Sequence, residues 1–266
     1  MLLALTLKLA ITAAVVVLAC RLVERTGPLV GAMIATLPVS AGPAYAFLAM
    51  EHPPAFIASS ALASLSAIAG ATVFVVVYAR LARRPQRSRH HGLLAAVAAA
   101  LLSWLLVVAL LQVLAPGLAL ACAINVALFL GCAWLTRRWR RAPLGPRGQP
   151  SRWDTPIRAL AAMALVALVL AIGRLLGPRA AGLAALAPVV TTSVAVLLYP
   201  RLGGAGAAAV LVNMLVGMLG NTVALAALAL TAVALGSTPA LLLALAISLA
   251  WNGGITIWQT RRPSRR

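Results

Sequence analysis

A chain of 266 residues with 63% hydrophobic side chains and a mean hydropathy of +1.04 cannot hide its apolar surface from water as a soluble globule. Its 22 Lys and Arg face only three acids, for a net charge of +19, yet these cations sit in short gaps between long apolar runs. That placement argues against a nucleic-acid partner and for membrane topology. The cysteines Cys20, Cys122 and Cys132 lie in or at the ends of apolar runs, so neither a disulfide framework nor a metal spacing is on offer.

A bilayer core of about 30 Å takes roughly 20 apolar residues per helix. The sequence has nine such runs, at about 2–23, 28–50, 54–82, 92–114, 117–136, 157–176, 179–199, 204–234 and 239–259. Turn chemistry separates them at Gly27-Pro28, Pro53-Pro54, Ala115-Pro116-Gly117, Gly177-Pro178, Gly203-Gly204 and Gly236-Ser237-Thr238-Pro239. The expected fold is therefore an all-α polytopic membrane protein.

The first run carries Val17-Leu18-Ala19-Cys20, which is similar to a lipoprotein cleavage box. No basic region precedes it and Lys8 interrupts it, so it reads as a membrane helix. Lys8 lies about 9 Å along this helix, near enough to snorkel to the outer interface. Arg158 has the same option on the other side. The alternative is an electrostatic role for both, drawing anions to opposite mouths of one pathway.

The second run holds Thr36-Leu37-Pro38-Val39-Ser40-Ala41-Gly42-Pro43 near its middle, and the seventh holds Pro188-Val189-Val190-Thr191-Thr192-Ser193. Proline removes a donor and frees a carbonyl one turn earlier, which in hydrocarbon needs a partner or a wet cavity. The candidate solute site is thus Thr36, Pro38, Ser40 and Gly42 with Pro188, Thr191, Thr192 and Ser193, where two broken helices meet at the midplane. Ordinary kinks healed by Ser and Thr are the competing reading. In the eighth run Asn213 and Asn221, eight residues apart, share a helix face and join the candidate lining, while interhelical hydrogen-bond glue is the competing reading for both and for Thr222. The hydroxyls of the third run, Ser59, Ser60, Ser64, Ser66 and Thr72, read as interhelical hydrogen-bond glue. Trp251-Asn252-Gly253-Gly254 reads as a local unwinding in the last run.

With nine spans, 19 basic residues fall on one side and only Lys8, Arg174 and Arg179 on the other. This places the N-terminus outside and the C-terminus in the cytoplasm. Residue n also matches n + 150: Lys8 with Arg158, Gly27-Pro28 with Gly177-Pro178, Pro38-Val39 with Pro188-Val189, and Gly70 with Gly220. A small shift pairs Trp104 with Trp251. The chain divides into a first four-span unit (1–114), a linking helix with a basic cytoplasmic loop (115–156) and a second four-span unit (157–266). One linking helix inverts the second unit, giving a 4+1+4 inverted repeat, the layout of many secondary transporters.

A four-span unit with a cation early in span one, Pro in mid-span two, an acid at its end and Trp in span four resembles the GlpM family of small bacterial inner-membrane proteins. Here those residues are Lys8, Pro38, Glu51 and Trp104. The resemblance covers about 1–114 and, more weakly, 157–259, where Arg158, Pro188 and Trp251 stand but the acid is missing. It implies a bacterial inner-membrane location, a loose link to exopolysaccharide (alginate) production, and units that pair antiparallel.

No acid lies deep in a run, no phosphate-binding glycine loop precedes a Lys-Ser/Thr, and no nucleophile–base constellation appears. The expectation is a non-enzyme with no cofactor and no metal, whose partners are the lipid bilayer and a small solute. A homo-oligomer stays open. A permease or exporter for an anionic or neutral solute leads. A non-transporting assembly subunit of an envelope-polysaccharide system, or a lipid-carrier flippase, is the alternative.

Overall fold

The computed structural model describes residues 2–25, 41–85, 88–140 and 154–261. Among them the chain is helical throughout: α1 (Leu2–Arg25), α2 (Ala41–Glu51), α3 (Pro54–Ala82), α4 (Arg89–Leu114), α5 (Leu118–Thr136), a 3-10 turn (Arg137–Trp139), α6 (Asp154–Ala185), α7 (Val189–Leu235) and α8 (Ser237–Arg261). Five stretches of the described residues are long and apolar enough to cross a membrane. The longest, Thr155–Leu235, is interrupted three times.

Two of those interruptions are glycines with a left-handed backbone, Gly177 (φ +80°) and Gly203 (φ +70°). Only glycine adopts such angles cheaply, so the chain turns there without a loop. The third is Leu186–Pro188, where the α6 helix stops and α7 begins. Runs six to eight of the hydropathy profile are therefore joined end to end, and run seven is two half-helices, 178–185 and 189–202. Gly236 (φ +86°) ends α7 in the same way. Trp251–Gly254 remains inside continuous α8, which corrects the expected unwinding. The backbone bonds of an uninterrupted helix outweigh two adjacent glycines there.

The centre of the molecule is α3 laid antiparallel on the long arm of α7. At one end Ile57, Ala61 and Leu65 bury with Leu225, Leu228 and Ala232. At the other, Phe74, Val75, Tyr78 and Ala82 bury with Ala207, Ala208, Leu211 and Leu215. The approach is closest at Gly204, where a Cβ would collide with the carbonyl oxygen of Ala82. Helices α1 and α6 form a second antiparallel pair, with Val16 packed on Ala159 and Ala162. Large apolar side chains fill the α3–α7 contact, while small residues such as Gly204, Ala159 and Ala162 let the backbones approach closely.

Each long central helix carries one partner through a tryptophan. Trp104 of α4 donates its indole N–H to the Ala67 carbonyl of α3 at 3.1 Å and lies over Gly70. Trp251 of α8 donates to the Val216 carbonyl of α7 at 3.1 Å and lies over Gly220. Helix α5 is fixed by Asn125, which donates to Leu65 O at 3.0 Å. The outer faces of α4, α5 and α8 expose large apolar side chains such as Leu106, Leu130 and Leu242, as a lipid-facing surface requires.

Candidate functional site

The break at Leu186–Pro188 is built by local chemistry. Pro188 has no N–H to continue the helix, and the Val189 N–H turns to Ala187 O at 2.7 Å. A continuous helix would have bonded it to Ala185 O. The next turn restarts with Thr192 N–H on Pro188 O at 2.8 Å. Serines of α3 hold the half-helix 178–185: Ser60 Oγ donates to Pro178 O at 3.0 Å and Ser64 Oγ to Gly182 O at 2.6 Å. Tyr45 of α2 joins through its hydroxyl, 2.7 Å from Ser64 Oγ. Gly182 permits this docking, because a Cβ there would collide with the Ser60 carbonyl. The expected interhelical role of Ser60 and Ser64 is thus met in detail.

Of the sequence-predicted site, Thr191 is buried beside the break and Thr192 Oγ1 is buried with no hydrogen-bond partner among the described residues. An orphaned buried hydroxyl costs about 1–3 kcal/mol, so the position is poised for a ligand or water. Ser193 instead donates to Val190 O at 2.8 Å, a bond back onto its own helix. Thr36, Pro38 and Ser40 lie outside the described residues. Gly42 meets nothing within 4 Å among the described residues.

The two asparagines do not share one lining. Asn213 is exposed and donates to Ala209 O at 2.9 Å and Arg140 O at 3.4 Å, tying the 3-10 turn to α7. Asn221 has its Oδ1 buried and unpartnered among the described residues. Eight residues along α7 is two turns, about 12 Å, enough to put the pair in different surroundings.

Lys8 does not snorkel. Its ammonium forms an ion pair and hydrogen bond with Glu51 Oε1, and sits 5.7 Å from the Phe47 ring centroid. Arg174 closes on the same carboxylate in bidentate fashion, Nη2 to Oε1 at 2.8 Å and Nε to Oε2 at 3.0 Å. Lys8 and Glu51 side chains are only 13% and 15% exposed, while Arg174 is open to the surface. Burial alone would raise the Glu51 carboxyl, but hydrogen bonds from Arg174 and Lys8, with their charges, hold it below the ordinary value. A fixed carboxylate at the end of α2 offers more than a stretch toward water, which is why the snorkelling geometry loses. The sequence flagged each of the three residues but not their meeting, since they are 43 and 123 positions apart. Arg158 belongs to α6, and its side chain lies outside the described residues.

At the same end of α3, an open cleft of about 130 Å³ is lined by Ser59, Ser66, Leu111, Gln112, Pro116 and Arg179 among others. Arg179 opens the half-helix that leads to the break. The cleft therefore brings one cation and three neutral polar side chains to the mouth of the broken segment. Thr191 and Thr192 do not line it. No group of metal-ligating side chains forms among the described residues.

No family model, no curated protein and no solved structure matches this chain.

Proposed function

We propose that the protein is a permease or exporter of the bacterial inner membrane for a small anionic or neutral solute, built as an inverted repeat of two GlpM-like four-span units. The observation that carries this reading is the broken segment 178–202. It is unwound at Leu186–Pro188, flanked by buried Thr191, and holds the orphaned Thr192 hydroxyl. Interrupted helices with unpaired polar groups at membrane depth are found where they line a cavity.

The inverted repeat gains support from paired contacts at the same sequence offset. Gly70 and Gly220 both sit under a tryptophan, and Thr72 and Thr222 both bond back to the residue four earlier. The antiparallel pairs α3/α7 and α1/α6 join segments that are 150 positions apart, the geometry that a two-fold axis in the membrane plane demands. Lys8, Glu51 and Arg174 all belong to the sparsely charged side of the chain, and they meet at one end. This fits an N-terminus outside.

Thiol accessibility tests the reading. In a background with Cys20, Cys122 and Cys132 replaced by alanine, Thr192→Cys should react with a hydrophilic methanethiosulfonate many-fold faster than Leu106→Cys on the apolar outer face. Equal, slow rates at both positions would leave a packed midplane and favour the assembly-subunit reading.

A further inference from the structure

At the end of the bundle opposite Glu51, two chain segments converge with six arginines: Arg80, Arg83 and Arg84 at the close of α3, and Arg137, Arg138 and Arg140 around the 3-10 turn. Arg83 lies 5.8 Å from the Trp139 ring centroid, which brings the segments together. Arg137 lies 5.3 Å from the ring of Trp134, an exposed tryptophan on the lipid-facing surface of α5. Trp139 packs inward against the core and Asn213 holds the Arg140 carbonyl, so the turn is docked. The guanidinium Nε of Arg140 is buried and has no hydrogen-bond partner among the described residues. The chain has only three acids, and among the described side chains none accompanies these arginines.

So dense a set of cations, with no counter-ion among the described side chains, repels itself, and a buried guanidinium N–H with no partner there is costly. A partner that fits these groups is anionic, presents forkable oxygens to arginine, and lies at headgroup depth, because the apolar run of α5 ends at Thr136, one residue before Arg137. We propose that this cluster is a binding site for the phosphate headgroup of an anionic phospholipid, with Arg83 and Arg140 as its inner contacts and Trp134 and Trp139 as interfacial anchors. The proposal stands independently of solute transport.

The test uses the full-length protein in non-ionic detergent, titrated with dioleoyl phosphatidylglycerol or dioleoyl phosphatidylcholine, with bound lipid counted by native mass spectrometry. The reading is the ratio of the two lipids bound within each variant, so a general loss of stability cancels. Wild type should prefer phosphatidylglycerol. Arg83→Gln with Arg140→Gln should lower that preference by about fivefold for each charge removed, and Arg174→Gln with Arg179→Gln at the other end should leave it intact. High salt should weaken the preference in wild type. Equal binding of the two lipids, or a preference that survives Arg83→Gln with Arg140→Gln, overturns the proposal. Inorganic phosphate displacing phosphatidylglycerol at millimolar concentration overturns it too, by assigning the site to a free anion.

Discussion

Trp104 and Trp251, 147 positions apart in the sequence, each donate an indole N–H to a main-chain carbonyl at 3.1 Å while lying across a glycine. A tryptophan in hydrocarbon needs a partner for its N–H. A helix carbonyl can accept a second bond only where the neighbouring surface lets the ring lie close, and glycine provides that surface.

Removing the glycine should therefore be costly in both places. Gly70→Ala and Gly220→Ala should each lower the thermal unfolding midpoint in detergent, by about 1–3 kcal/mol of overpacking. Trp104→Phe and Trp251→Phe should each lose about 1 kcal/mol for the hydrogen bond. A tolerated Gly220→Ala would mean that the α7–α8 contact is looser than described.

Gly182 and Gly204 present a harder constraint, because their neighbours are the backbone carbonyls of Ser60 and Ala82. Backbone inside a helix cannot rotate aside as a side chain does. Gly182→Ala and Gly204→Ala should cost more than the tryptophan-facing substitutions, seen as lower folded yield and a larger fall in midpoint. Gly42→Ala, which meets open space among the described residues, should be neutral.

Much of this architecture was legible in the sequence because burial in lipid is read by hydropathy. The long uninterrupted runs that became α3 and α5, and the turns at Gly177, Gly203 and Gly236, follow from length and backbone chemistry alone. The break at Pro188 was legible for the same reason. The Lys8–Glu51–Arg174 cluster was not, since helix length says how far Lys8 can reach but not what stands beside it. Asn125 was missed too: a lone amide in an apolar run gives no sign of which helix carbonyl it will meet. Asn213 meets the glue reading through Arg140 O and not the shared lining with Asn221, because helical spacing places residues on one face but does not say that the face keeps one neighbour for two turns.

The ion cluster gives a pH prediction. Glu51 is held below its ordinary value of 4.5 by Arg174 and Lys8 against the opposing effect of burial. A depressed carboxyl contributes stability that is full above its unfolded pKa and lost as pH falls through the folded one. The midpoint should fall as pH drops from about 5 toward 3. Glu51→Gln should be less stable at neutral pH, with two cations left uncompensated, and should show a flatter acid limb. Of the side-chain acids only Glu24 and Asp154 remain to titrate there, beside the terminal carboxyl. An unchanged acid limb in Glu51→Gln would mean that groups other than Glu51 carry it.

Arg174→Gln should be milder than Lys8→Met, because the arginine is open to solvent while the lysine is enclosed. An exposed pair contributes about 0–1 kcal/mol, whereas removing Lys8 takes away the enclosed partner of a largely buried carboxylate and leaves it to the exposed arginine alone. Unfolding midpoints of the two variants at neutral pH check the order.

The inverted repeat on which the transport reading rests meets its most direct test in the sidedness of two positions, His52 and Arg201. At the offset of 150 Glu51 matches Arg201, so 52 and 201 fall one residue from matching places in the proposed repeat, yet they lie toward opposite ends of α3, a helix of 29 residues and about 43 Å. Single cysteines at each, in the cysteine-free background, should be labelled in intact cells by a membrane-impermeant maleimide at 52 but not at 201. After the cells are opened, both should react. Labelling of both positions in intact cells, or of 201 alone, would contradict the inverted arrangement.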